Sequence, residues 1–267
     1  MTKESHKKSR ASAGRKKRPA DAPQQGEFVF GRHAVAEALD ARRGNKLFIQ
    51  EDARGTKIEA LKAAAVSAAV PVQWVPKNKL DLLSDGQVHQ GVVLGVTPYE
   101  YYDLDGLLDK VLSAKQAPFL LILDSLEDPH NFGSILRTAD ATGVDGIIIP
   151  KHRAVGITSV VSKTSTGAVE HVPVARVTNL ARAIQKLKSE QFWVYGTDMS
   201  GTDYRQWQVD GPIALIIGNE GKGMSKLLKQ EADEMLTIPI TGHVQSLNAG
   251  VAAGLLMYEV YRKRHPI

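Results

Sequence analysis

The sequence predicts an α/β protein with two parts. A small layered α/β unit precedes a larger one, built on a mostly parallel sheet with helices on both faces. Three observations carry this reading. Short strand-like runs alternate with helical stretches between residues 28 and 97. Further along, Phe119–Leu123, Gly146–Pro150 and Ile213–Ile217 are apolar throughout, as strands covered on both faces are. Helical periodicity follows these runs, which is the order a parallel sheet requires.

In chain order, Arg32–Leu39 is helical, with Val35, Ala38 and Leu39 on one face. Lys46–Gln50 is a short strand, Ile58–Ala69 an Ala-rich helix, Val72–Val75 a strand, Lys79–Leu83 a helical turn and Gly91–Val96 a strand. Pro98 opens a linker, assigned to residues 98–116. Its tyrosines, Tyr99, Tyr101 and Tyr102, either stack on bases or, the preferred reading, pack the linker onto a domain. Leu107–Ala114 is helical, and helix Asn131–Thr142 is bracketed by Asp128-Pro129 and Gly143. Further strands are expected at His171–Ala175, Phe192–Gly196 and Met235–Ile238. Further helices are expected at Asn179–Glu190, Met224–Glu231 and Leu247–Arg262, the last with Ser246 as its N-cap. Ser162–Gly167 reads as a polar loop that either shapes a binding face or is ordinary. The organisation is thus a tail over 1–26, a small domain over 27–97, a linker over 98–116 and a large domain over 117–267.

Charge is unevenly spread. Residues 1–18 hold eight Lys or Arg against one Glu in a chain of net charge +5, so residues 19–267 sum to −2. With almost no large apolar side chain, this tail is expected to be disordered. It is read as an RNA arm acting by counterion release, the alternative being a solubilising tail. Cysteine is absent, which excludes disulfides, thiolate zinc sites and a cysteine nucleophile and fits a cytoplasmic protein. No apolar run reaches the ~18 residues of a membrane span, and His152, His171 and His243 have no metal-ligand spacing. No membrane, metal or Gly-x-Ser-x-Gly chemistry is expected.

Three segments carry the chemistry, each where a strand hands over to a loop or helix. They are Asp128–Arg137, Ile216–Met224 and Ile238–Ile240 with Ser246–Ala252. In the second, Gly218-Asn219-Glu220-Gly221-Lys222-Gly223 is not a Walker loop, because Lys222 precedes the last glycine. Nor does it have the dinucleotide spacing Gly-x-Gly-x-x-Gly. Alone it reads equally as a structural turn. In the last helix Val251, Leu255 and Tyr258 share an apolar face, read as intrachain core, and Ala249, Gly250, Ala252, Ala253 and Gly254 permit another backbone to come close.

Together the three segments resemble the signature of the SpoU/TrmH branch of the SPOUT methyltransferases, over roughly residues 118–264. Val29–His33 and His89-Gln90-Gly91 resemble that family's small ribosomal-protein-like substrate domain. The resemblance implies transfer of a methyl group from S-adenosyl-L-methionine to a ribose 2′-oxygen of RNA. It also implies a C-terminal trefoil knot and a homodimer whose contact includes helix 247–262. Cofactor contacts carry over to Thr197, Gly218, Ile238 and Leu247, and catalytic roles to Asn131, Arg137, Glu220 and Asn248. The family assigns Arg137 as the base. Guanidinium stays protonated in proteins, so a clamp on the neighbouring phosphate fits its chemistry better. A surface salt bridge of Arg137 with Asp140 or Glu170 is the plain structural alternative. The two-part layout is similar to bacterial members that methylate a guanosine of 23S ribosomal RNA, free or in a large-subunit precursor. Transfer RNA, an rRNA adenosine, or a non-catalytic role in ribosome assembly are the rivals.

Overall fold

The computed structural model describes residues 27–219 and 221–267. The basic tail and Glu220 lie outside the described residues. The first sheet has four strands, β1 (Glu27–Phe30), β2 (Gly44–Gln50), β3 (Val72–Val75) and β4 (Val92–Val96), in the order β1-β4-β2-β3. β4 runs antiparallel to β1 and β2, while β3 runs parallel to β2. The helices are α1 (Arg32–Asp40), α2 (Thr56–Ser67) and α3 (Lys77–Leu83). Strand alternation sorts side chains between two faces. Leu47, Ile49, Val92 and Leu94 join Val35, Leu39, Ile58 and Leu61 beneath α1 and α2. Phe30, Val75 and Val93 meet Leu80 of α3 on the other face. β1 was not foreseen as a strand.

The second sheet is parallel throughout. Its strands are β5 (Phe119–Leu123), β6 (Gly146–Pro150), β7 (Val174–Val177), β8 (Trp193–Asp203), β9 (Ile213–Ile217) and β10 (Glu234–Thr237), in the order β10-β8-β9-β5-β6-β7. Its helices are α4 (Leu104–Ala114), α5 (Pro129–Thr142), α6 (Ser159–Thr164), α7 (Leu180–Ser189), α8 (Lys226–Glu231) and α9 (Ala249–Arg264). Phe119, Leu121 and Leu123 pack with Phe132 and Leu136 of α5 and Leu256 and Met257 of α9. The alternate residues, Leu120 and Ile122, face Leu107 of α4, Ile184 of α7 and Leu228 of α8. The expected helices on both faces are therefore present, and α4 lies in the core although it falls in the stretch read as linker. α5 starts on the Asp128 side chain, which accepts from His130 N, and ends at left-handed Gly143. At the far end of α9, Arg264 donates to the carbonyls of Ala117, Val209 and Gly211, at 2.7, 3.0 and 2.7 Å.

Several expectations need correction. β8 does not stop at Gly196. It continues to Asp203 after residues 197–201 leave the β10 ladder, where the register jumps between Met235 and Leu236. The strand expected from His171 begins at Val174, after a 3-10 turn over Ala168–Glu170. The loop expected over Ser162–Gly167 is only half present: 162–164 close α6 and 165–167 form a turn, with Ser162 and Ser165 buried. The linker tyrosines pack inward. Tyr99 OH accepts from Val174 N at 3.1 Å, Tyr101 OH accepts from Ile157 N at 2.6 Å, and Tyr102 bridges to Ala175 beside β7.

The two sheets share a polar seam. Arg43 forms an ion pair with Glu170 and lies 5.5 Å over the Tyr99 ring. Burial pushes the Glu170 carboxyl up, against the pull of Arg43. Lys163 of α6 sits 5.1 Å over the Phe30 ring of β1. A side chain at Gly167, whose φ is +94°, would meet Glu37 Cγ at 2.1 Å, so only glycine allows this approach.

His171 Nε2 and Glu37 Oε2 are 2.9 Å apart across the seam, and this bond raises the imidazole above its ordinary value of 6.5. A raised histidine contributes stability that is complete below pH 6.5 and is lost as pH rises through the raised value. Proteolysis of the 97–103 segment should therefore quicken as pH passes upward through that window. Glu37→Gln should flatten the profile, while an identical profile in the variant would remove this bond from the seam's energetics.

Candidate active site

β5 and β9 are neighbours, but the chain leaves them in opposite directions along the sheet, β5 toward β6 and β9 toward β10. Such a switch point opens a crevice at the carboxyl ends of the strands. Two polar side chains build its floor. Asp124, buried at the end of β5, accepts from Ser225 N at 2.9 Å. Asn219, at the end of β9, donates to Ser125 O at 2.8 Å and accepts from Gly221 N and Lys222 N at 3.0 and 3.2 Å. Asn219 and Gly223 also exchange backbone hydrogen bonds at 3.1 and 2.8 Å. The glycine loop is therefore tight, and it is tied to the β5 exit.

Above this floor lies a cleft of about 530 Å³. Its walls come from the part of β8 that leaves the ladder, the glycine loop, the exit of β10 and the start of α9. Thr197, Gly218, Ile238 and Leu247, separate in sequence, all line it. Thr197 is partly spent within the fold, since its Oγ1 donates to Ile216 O at 3.1 Å. Gly218 is required as glycine, because a Cβ there would lie 2.5 Å from Met224 N. At the cleft wall Lys229 pairs with Asp198, and this bond holds the Asp198 carboxyl below the usual range.

The catalytic candidates divide. Asn248, not Ser246, caps α9: its Oδ1 accepts from Gly250 N and Val251 N at 2.9 and 3.2 Å. The amide of Asn248 takes up those donors itself, so this helix start is not left open to an anion. Its Nδ2 donates to Asn131 Oδ1 at 3.0 Å, joining the starts of α5 and α9. Arg137 is not in the cleft wall. It lies six residues beyond Asn131, about 9 Å along the helix. There it is exposed and makes no ion pair or hydrogen bond among the described residues. The surface salt bridge with Asp140 or Glu170 is thus absent, and Glu170 is taken by Arg43. On the same side of α5, Ser134 and Thr138 face Gly250 and Gly254 of α9, the close approach those small residues permit. Val251, Leu255 and Tyr258 are exposed, and the core is filled instead by Ala249, Ala253, Leu256 and Val260. The reading of that face as intrachain core is therefore wrong: the stripe points outward. Asp124 was missed by sequence reasoning, although a carboxylate directly after an apolar central strand was the available signal.

The cleft suits a nucleoside, with apolar walls from Ile217, Leu236, Ile238 and Leu247 and backbone groups from the turns. Fold and cleft together define an α/β protein with a nucleoside-sized site at the carboxyl edge of its sheet. The model of the SpoU rRNA methylase family matches residues 118–258, and that of the RNA 2′-O ribose methyltransferase substrate-binding domain matches residues 28–102. YacO of Bacillus subtilis (strain 168), described as a TrmH family tRNA/rRNA methyltransferase, is 51% identical over 246 residues, 91% of this chain and 98% of its own. An AdoMet-bound rRNA methyltransferase from Sinorhizobium meliloti superposes with TM-score 0.75 at 26% identity, over 90% of this chain and 88% of that one. The A. aeolicus TrmH/SpoU tRNA-modifying enzyme matches with TM-score 0.52 at 30% identity, over 60% of this chain and 82% of its own. The chain belongs to the SpoU/TrmH family of RNA methyltransferases.

Gly218→Ala should force the loop away from Met224 and cost about 1–3 kcal/mol. Titration calorimetry with S-adenosyl-L-methionine should show the lost affinity. Wild-type binding by this variant would mean that the tight turn does not shape the cleft.

Proposed function

We propose that this protein methylates the ribose 2′-hydroxyl of a guanosine in 23S ribosomal RNA, with S-adenosyl-L-methionine as donor. The observation that carries this is the meeting of Thr197, Gly218, Ile238 and Leu247 on one cleft, with the Asn131–Asn248 pair beside it. The extent of the likenesses favours ribosomal over transfer RNA. The S. meliloti rRNA enzyme covers 90% of the chain, and the A. aeolicus tRNA enzyme 60%. The match to an RNA 2′-O ribose methyltransferase substrate-binding model over residues 28–102 supports a ribose 2′-oxygen of RNA as the acceptor. That unit, taken as ribosomal-protein-like, and the basic tail over 1–26 would hold the RNA. The segment over 238–248 lines the same cleft as the glycine loop before α9 returns to α5. That path supports a trefoil knot, a rare exception to unthreaded connections.

Bound in the cleft, S-adenosyl-L-methionine supplies a methyl carbon on a sulfonium, open to in-line attack. The protein's task is then alignment and proton removal. Asn131 and Asn248 fix the helix starts that border the reacting atoms. Arg137 stays charged and clamps the phosphate beside the target ribose, which polarises the hydroxyl. Glu220 takes the proton, directly or through water, or orients Arg137. Arg137 lies outside its own cleft wall, on the helix that packs against α9, whose Val251, Leu255 and Tyr258 are exposed. A homodimer contact through α9 would cover that stripe and bring the arginine to a subunit boundary.

Assay with labelled cofactor on ribosomal and transfer RNA side by side tests the substrate; label in transfer RNA alone would overturn the ribosomal reading. Arg137→Ala should abolish turnover and leave cofactor affinity intact, and near-normal turnover would remove Arg137 from the chemistry. Leu255→Asp should shift the protein from dimer to monomer in light scattering. A variant that keeps the wild-type mass would place the contact elsewhere.

A further inference from the structure

β6 leaves the sheet through Lys151-His152-Arg153, and all three side chains are exposed. None of them makes an ion pair, hydrogen bond or ring contact among the described residues. Several other cations are spent internally, Arg43 on Glu170, Lys115 on Asp145 and Lys188 on Asp233, whereas Lys151 and Arg153, like Arg137, are not paired among the described residues. The backbone beneath the three is held firmly at both ends. Lys151 N donates to Val177 O at 2.8 Å, and Arg176 Nη2 donates to Lys151 O at 3.1 Å. Val155 N donates to Leu126 O at 2.9 Å, and Ile157 N to Tyr101 OH at 2.6 Å. Arg153 itself sits in the left-handed region, with φ +57°, a conformation that costs a non-glycine residue energy and is retained where surroundings impose it.

A fixed backbone with uncompensated cations is prepared for an anion from outside the chain. Its position says which one. Leu126 belongs to the β5–α5 loop, in which Ser125 O is held by Asn219 of the glycine loop and from which α5 carries Asn131. Val155, two residues beyond Arg153, thus ties the cationic turn by one hydrogen bond to the segment that builds the active site. We propose that Lys151 and Arg153, with His152 between them, grip phosphates of the RNA strand flanking the methylated ribose. This rests on the RNA methyltransferase reading and adds to it the surface that fixes the strand. Two cations on a rigid loop set the strand's register without reading bases, as phosphate contacts do.

The test is the full-length variant Lys151→Gln with Arg153→Asn, asparagine being tolerant of the left-handed region. Labelled, purified ribosomal RNA is bound across a salt series, and calorimetry with S-adenosyl-L-methionine reports the integrity of the cleft. RNA binding should weaken roughly tenfold at physiological salt, and the log–log salt slope should become shallower by about 1.4, the loss of two single-strand phosphate contacts. KM for RNA should rise with kcat retained and cofactor binding unchanged. The charge-conserving exchange Lys151→Arg with Arg153→Lys should keep the wild-type slope, and it serves as the second probe if the first variant loses cofactor binding. Wild-type methylation with unaltered affinity and slope in the neutral variant overturns this inference alone. Wild-type protein that binds no RNA overturns the functional reading with it.

Discussion

The site depends on one constraint, the near-contact of the β9 exit with its own returning loop. Gly218 lies against the backbone of Gly223 and Met224, so close that no side chain fits between them. Two side chains hold this turn from below. Asn219 links it to Ser125, and Asp124 receives Ser225 N. The exits of two adjacent strands are thereby fastened into one floor. Without that fastening, Ile238 and Leu247 would have nothing to close against, and the cleft would be a pair of unrelated loops. The buried carboxylate of Asp124 acts through geometry: it takes a backbone donor that would otherwise be left unsatisfied.

Much of this was legible in the chain. Phe119–Leu123, Gly146–Pro150 and Ile213–Ile217 fall where the apolar runs put them, since a strand covered on both faces has no other way to be written. α5 was legible at both ends from Asp128-Pro129 and Gly143. The four cleft residues came from the family resemblance, because nothing in their spacing brings Thr197 to Leu247. Other features could not be read locally. The departure of residues 197–201 from the ladder depends on where β10 pairs, a distant event. The cap of α9 was misplaced because Ser246 is as good a capping residue as Asn248. What decides between them is Asn131, more than a hundred residues away, which accepts from the Asn248 amide. The outward turn of Val251, Leu255 and Tyr258 was hidden because α9 carries apolar residues almost all round, so the sequence offers two faces and only packing against α5 selects one.

The polar side chains of the second sheet fall into two kinds. One kind holds the fold in shape: Arg264 closing on three carbonyls, Tyr99 and Tyr101 receiving backbone N–H groups, Thr197 answering Ile216. The other kind, including Arg137, Lys151 and Arg153, is exposed and has no partner among the described residues, on a framework that is itself firmly bonded. A rigid scaffold carrying free charge suits a protein whose partner is a flexible polyanion, because the ordering cost then falls mainly on the partner.

The glycine at position 167 has a wider consequence. Because any larger residue there would collide with Glu37, the two sheets abut at a fixed separation, reinforced by the Arg43–Glu170 pair. The molecule then behaves as a caliper. Its two jaws, the small domain around α1 and the stretch over 163–171 of the large one, are set by that contact rather than by a hinge.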